Sequence, residues 1–169
     1  GPDLQQKAPN KEEALKLIDA AGYKLDPSGN RVKDGKQVVL NLATQNTTEY
    51  SLVANDLQKQ WAELGVKVHV DLLDESELQQ NYITPHNYDI LLYSIGLGVD
   101  ADVYAYWHSR EARLGGLNLS EYKSSNADAS LEAGRTRNDP VVRVIKYKGF
   151  LQSWRDDVPA IALYQSSFD

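Results

Sequence analysis

Cysteine and methionine are both absent from the 169 residues. The first absence excludes disulfides, thiolate nucleophiles and cysteine-ligated zinc, and it leaves the redox compartment open. The second argues against a thioether-lined site. Long apolar runs are missing too: no stretch approaches the roughly 20 consecutive apolar residues of a membrane span. The first residues lack the basic-then-apolar layout of a signal peptide. Positive charge is in deficit, with 18 Lys and Arg against 24 Asp and Glu and a net charge of −6. No basic stripe offsets that total, which argues against a nucleic-acid groove. What is present, 41% hydrophobic residues, is enough to fill one core, so the length predicts a single domain.

Gly1-Pro2 reads as the remnant left when a tag protease cuts, so fold reasoning covers residues 3–169 as one α/β unit. Asn10 followed by Glu13 is a helix-start pattern, and Ala14, Leu15, Leu17, Ile18 and Ala21 continue it to a stop at Gly22. Asp26-Pro27-Ser28-Gly29 and Lys33-Asp34-Gly35-Lys36 are turn chemistry, so Tyr23 to Lys36 is expected to form a small hairpin or surface loop decorating the core. Val38 to Ala43 reads as a strand, and Tyr50, Val53, Ala54, Leu57, Trp61 and Leu64 sit at helical spacing. Gly65 ends that helix, and Val66 to Leu72 alternates with period two, as a strand does. A second helix is expected from Asp74 toward Ile83.

Ile90 to Ile95 is a continuous apolar run, the pattern of a central strand covered on both faces. Strand, helix, strand, helix, strand predicts an α/β fold with a mainly parallel sheet flanked by helices. Further helices are expected over 102–109, over 126–136 and from Asp139-Pro140 onward, where Val144, Ile145, Leu151 and Trp154 are apolar. Pro159 to Tyr164 reads as a last short strand.

Ligands of open α/β sheets bind beyond the carboxyl ends of strands, which directs attention to Ser94-Ile95-Gly96-Leu97-Gly98 and on to Asp102. Gly96 and Gly98 either let a ligand approach the backbone or merely permit a turn. The run is not a dinucleotide fingerprint, because the third glycine is missing. Asp100 and Asp102 offer oxygen ligands for a hard cation, but an aspartate before a helix is more simply a cap, and Asp102 is read as one. His69, His86 and His108 show no metal or triad spacing, so no metal or cofactor is expected. Tyr104, Tyr106 and Trp107 either line a pocket or pack a helical face. The charges of residues 11–36 and 135–143 read as solvated faces. Asn46-Thr47-Thr48 and Asn118-Leu119-Ser120 match a glycosylation pattern that is common by chance.

Several of these stretches, taken in order, resemble the C-terminal lobe of family 5 extracellular solute-binding proteins, the dipeptide, oligopeptide and nickel binders that serve ABC importers. The resemblance rests on Glu13 to Tyr23, Leu57 to Val68 before Tyr88-Asp89-Ile90, and Asp100-Ala101-Asp102 followed by Tyr106-Trp107-His108-Ser109. It continues through Asn118 with Tyr122, Asn126-Ala127-Asp128, and Pro159 to Gln165. It implies a lobe like those of type II periplasmic binding proteins and capture without catalysis. A peptide or similar small solute would be enclosed between this lobe and a missing N-terminal one, in a monomer that serves a membrane ABC permease. It also implies a lipoprotein at the extracellular face of the membrane or a periplasmic protein, with export signal and lipid anchor outside these residues.

Tyr93, Ser94, Ile95, Gly96, Leu97, Gly98, Asp100, Tyr104 and Trp107 are the ligand-binding residues so expected. In peptide binders of the family an aspartate just after the central strand pairs with the ligand's amino terminus. Here Leu97 or Gly98 falls at that place, and Asp100 is the nearest carboxylate able to substitute. Two readings from other classes stand beside this one: a protein-interaction domain using the inter-lobe face, and a small α/β hydrolase built on Ser94 or the Asp100 and Asp102 carboxylates. The second lacks a Gly-x-Ser-x-Gly elbow.

Overall fold

The structure, a computed structural model, describes residues 5–98 and 100–165. The chain divides into two compact units, residues 9–95 and residues 96 onward together with those up to Ala8.

In the first unit, helix α1 (Lys11–Ala20) starts where expected: the Asn10 side chain accepts the Glu13 amide at 3.0 Å, and Glu12 and Glu13 place negative charge at the positive end of the helix. Gly22, at φ +88°, takes the left-handed conformation that ends it. Strands β1 (Lys24–Leu25), β2 (Arg31–Lys33) and β3 (Lys36–Gln37) then form an antiparallel meander. Asp26 closes its first turn by accepting the Asn30 and Ser28 amides at 2.8 and 2.9 Å. The Asn30 amide is the main reason its carboxyl lies below the usual range. Asp34 and Gly35, both at positive φ, make the tight turn between β2 and β3.

The meander is more than decoration, and its charges are not all solvated. Arg31 is only 2% exposed. Its guanidinium pairs with Asp19 and donates to the Tyr23 carbonyl at 2.9 Å, while Nε donates to the Leu64 carbonyl at 2.9 Å. One side chain thus ties α1, the meander and the turn at Gly65 together. Gly65 is required there twice over: its φ is +80°, and a Cβ would stand 2.7 Å from the Gly29 carbonyl oxygen.

Strand β4 (Val39–Gln45), helix α2 (Thr48–Ala62), strand β5 (Lys67–Leu73), the short helix α3 (Glu75–Glu77) and strand β6 (Ile90–Leu92) complete this unit. Helix α3 runs on into a π-helical stretch, Leu78–Ile83, that buries Leu78 and Ile83. The sheet is parallel with order β5-β4-β6, so the α/β architecture is as the sequence predicts. Its core is Leu42, Ala54, Val68 and Leu92, flanked by Tyr50, Val53, Leu57 and Trp61.

The expectation of a central strand over Ile90 to Ile95 is corrected: β4 is central, and β6 pairs through three residues at the edge. The apolar run misleads because hydrophobicity reports burial of side chains, not how many strands pair with the backbone.

The second unit is helical. It contains α4 (Tyr104–Trp107), a 3₁₀ turn (Ser109–Glu111), α5 (Ser125–Thr136) and α6 (Pro140–Asp157). Asp139 caps α6 by accepting the Val141 amide at 2.8 Å, with Pro140 in the first turn. Tyr122, Ala127, Leu131, Tyr147 and Phe150 form its core, with Val103, Tyr104, Trp107 and Trp154 packed around them. The side of α6 that faces inward is therefore Tyr147, Phe150 and Trp154; Val144, Ile145 and Leu151 are exposed. Helix α5 reaches α6 at Gly134, where a Cβ would meet the Tyr147 ring at 2.8 Å. Residues 159–165 form no strand, contrary to expectation. Gln6 holds this stretch instead, donating to the Ala162 carbonyl at 3.2 Å and accepting the Ala162 amide at 2.8 Å.

Candidate functional site

The segment leaving β6 is open along its length: Tyr93, Ser94, Ile95, Gly96, Leu97 and Gly98 are all exposed. Neither Gly96 nor Gly98 has positive φ, and a Cβ built on either meets nothing within 4 Å. Within this chain, then, neither turn geometry nor packing requires glycine at these two places. The Gly96 carbonyl accepts the Tyr106 hydroxyl at 3.2 Å.

Asp100 and Asp102, in the stretch that leads into α4, are each matched to a guanidinium. Asp100 Oδ1 accepts Arg143 Nη2 at 2.9 Å and the Asp102 amide at 2.9 Å. Asp102 pairs with Arg135 Nε at 2.8 Å, and its other oxygen accepts the Tyr104 amide at 3.1 Å. Asp102 is not the helix cap the sequence suggests, since Val103 holds that position without a side-chain bond; Asp102 instead covers the first amide of α4 from one residue further back. Two carboxylates engaged in this way are poor ligands for a hard cation, and the described residues contain no group of three His, Cys, Asp or Glu suited to a metal. The sequence pattern suggests a solvated face for Arg135 and Arg143, and no spacing in it points to these two pairings.

Tyr104 and Trp107 are half-buried and lean on their own unit. Tyr104 stacks on His108 with centroids 4.0 Å apart and carries the Arg135 guanidinium 4.3 Å above its ring. Trp107 meets Trp154 edge to face at 5.5 Å. His108 is buried, with Nδ1 accepting the Arg110 amide at 3.1 Å and Nε2 3.2 Å from Glu132.

Asn118 is fully buried, which rules it out as a glycosylation acceptor. Its amide donates to the His108 and Tyr122 carbonyls at 3.1 and 2.8 Å, and its oxygen accepts the Tyr122 amide at 3.0 Å. The Tyr122 hydroxyl donates to Asp157 at 2.6 Å. Burial, reinforced by that carboxylate, pushes its pKa up to about 12.

The described residues thus combine an α/β unit built on a parallel sheet with an exposed segment leaving the end of a strand. Residues 1–116 match the family described as bacterial extracellular solute-binding proteins, family 5 Middle, and the chain belongs to that family. Protein XP55 of Streptomyces lividans is 28% identical over 142 residues, covering 80% of this chain and 25% of its own length. The oligopeptide-binding protein AppA from Bacillus subtilis, solved with a nonapeptide, superposes with TM-score 0.82 at 24% identity, over 92% of this chain and 32% of its own. NikZ from Campylobacter jejuni, solved with Ni(L-His), gives TM-score 0.79 at 22% identity, over 89% and 31%. These likenesses show the type II periplasmic binding protein fold. The chain spans about a third or less of each relative. No helix among the described residues is long and apolar enough to cross a membrane.

Proposed function

We propose that this chain is one lobe, the C-terminal one, of a two-lobed receptor that captures peptide or a similar small solute outside the cell and delivers it to an ABC permease. The observation that carries this reading is the family match combined with coverage: some nine-tenths of the chain superposes on relatives that hold a peptide or a nickel chelate, yet it spans only about a third of them. The mechanism is capture and release by hinge closure, with no bond made or broken. The solute lies along Tyr93 to Gly98, where the exposed backbone offers hydrogen bonds to a peptide of varied sequence. The open space beside Gly96 and Gly98 supports this, since a side chain at either place would occupy the room a backbone-contacting solute needs. Asp100, Tyr104 and Trp107 follow that segment in the chain, the last two as partly buried aromatics packed on the core of their own unit, and they are offered as further contacts. The receptor works as a monomer, with export signal and lipid anchor carried by other parts of the longer protein.

A thermal-shift screen of the longer protein tests the reading, using mixed di- to octapeptides, nickel chelates and oligosaccharides. A rise in Tm with one class names the cargo. No rise with any class, in a folded protein, transfers weight to a protein-interaction role for the exposed apolar residues of the segment leaving β6.

A further inference from the structure

We propose that Arg135 and Arg143 are positioning residues that use Asp100 and Asp102 to hold the turn of residues 100–103, so that the turn offers a solute polar backbone and no unpaired charge. That the turn faces a solute rests on the receptor reading above; the clamp itself rests on geometry alone.

The two carboxylates are each engaged twice. Asp100 Oδ1 takes both the Asp102 amide and Arg143, and Asp102 takes the Tyr104 amide with one oxygen and Arg135 with the other. The guanidiniums come from different helices, Arg135 from the last turn of α5 and Arg143 from the first turn of α6. Both are themselves oriented by rings, Arg135 over Tyr104 at 4.3 Å and Arg143 over Tyr147 at 5.7 Å. The turn is therefore anchored at two points to the helical pair whose core is Leu131, Tyr147 and Phe150. Each negative charge has its own positive partner, so an incoming ammonium would have to compete with a guanidinium already in place. The Asp100 side chain remains 63% exposed, so the pairing disfavours a free ammonium here without abolishing the carboxylate's pull, and the stretch of solute favoured at this turn is an uncharged one.

Hydrogen exchange of the 169-residue chain decides the point without any solute. Two double variants are compared with wild type: Arg135→Gln with Arg143→Gln, and Asp100→Asn with Asp102→Asn. The second keeps side-chain oxygens that can accept the Asp102 and Tyr104 amides while removing both charge pairs. Exchange in peptides spanning residues 100–108 is expected to rise roughly three- to tenfold in both, the effect of two partly exposed pairs on a local opening equilibrium. Protection of α5 and α6 stays unchanged, and Arg135→Lys with Arg143→Lys recovers part of the loss. Unchanged exchange over 100–108 in the asparagine variant overturns the proposal, whatever the glutamine variant does to folding.

In the longer protein, tetraalanine and N-acetyl-tetraalanine should raise Tm alike. A shift that depends on the free amine, and that disappears with Asp100→Asn, overturns the claim that the turn carries no unpaired charge. A longer protein that responds to no solute at all refutes the receptor reading and leaves the exchange result to judge the clamp.

Discussion

Replacing Arg31 with methionine tests how much of the first unit hangs on a single side chain. The guanidinium is 2% exposed and serves three acceptors, the Asp19 carboxylate and the Tyr23 and Leu64 carbonyls. Methionine matches much of the length and apolar stem but donates nothing. Each carbonyl left without its donor costs about 1 kcal/mol, more if water cannot reach it. The Asp19 pair contributes at most about 1 kcal/mol, because that carboxylate is half-exposed and recovers solvent when the arginine goes. The sum is about 3 kcal/mol, below the cost of breaking a fully buried pair. In urea, at about 2 kcal/mol per molar denaturant, the midpoint should fall by roughly 1.5 M. Fluorescence of Trp61, the tryptophan of this unit, follows the transition in a variant with Trp107 and Trp154 changed to phenylalanine. Arg31→Lys, which keeps the charge but not the forked donors, should lose about half as much. A fall of under 0.5 M for the methionine variant would refute the reasoning, since it would mean that the three acceptors find other partners.

Gly65→Ala should cost about 2–4 kcal/mol in the same urea assay, from its positive φ and from the contact a Cβ makes with the Gly29 carbonyl. Gly134→Ala should cost about 1–3 kcal/mol by overpacking against the Tyr147 ring, and Tyr147→Leu in the same chain should return part of that loss in a double-mutant cycle. Val158 closes α6 at φ +49°, where a β-branched residue is strained, so Val158→Gly should raise stability by about 1 kcal/mol in thermal melts. Tyr122 keeps its proton in the native state up to about pH 12, whereas the unfolded chain loses it near pH 10. Stability is therefore highest below pH 10 and falls between pH 10 and 12, by about 2–3 kcal/mol attributable to this residue. The difference between wild type and Tyr122→Phe, followed across that window, isolates the effect, and a difference that does not change with pH contradicts it.

Much of the fold is legible in residues that act locally. Asn10, Thr47 and Asp139 cap helices with their own side chains, Gly22 and Gly65 end them at positive φ, and Val66 to Leu72 alternates because it is a half-buried strand. What escaped local reading depends on partners distant in sequence. Arg31 sits in a turn-rich, charged stretch and becomes buried only because the Gly65 turn folds over it. The run Ile90 to Ile95 is apolar enough for a central strand, yet among the described residues it pairs with β4 alone, through Ile90–Leu92. At the candidate site the sequence shows the order Gly96, Gly98, Asp100, Asp102, but the matching arginines lie on α5 and α6, at least 33 residues further along the chain. The two meanings open for Tyr104 and Trp107 could not be weighed without seeing His108, Arg135 and Trp154 around them.

Gln6 and Ala162 exchange hydrogen bonds although 156 positions separate them in the chain. Two stretches that lie side by side in this way can be joined by a short bridge. A short glycine-serine bridge between these two stretches, with new ends opened in the exposed Asp34-Gly35 turn, would give a circular permutant that keeps the helices and strands of the described residues while changing the order in which they are synthesised.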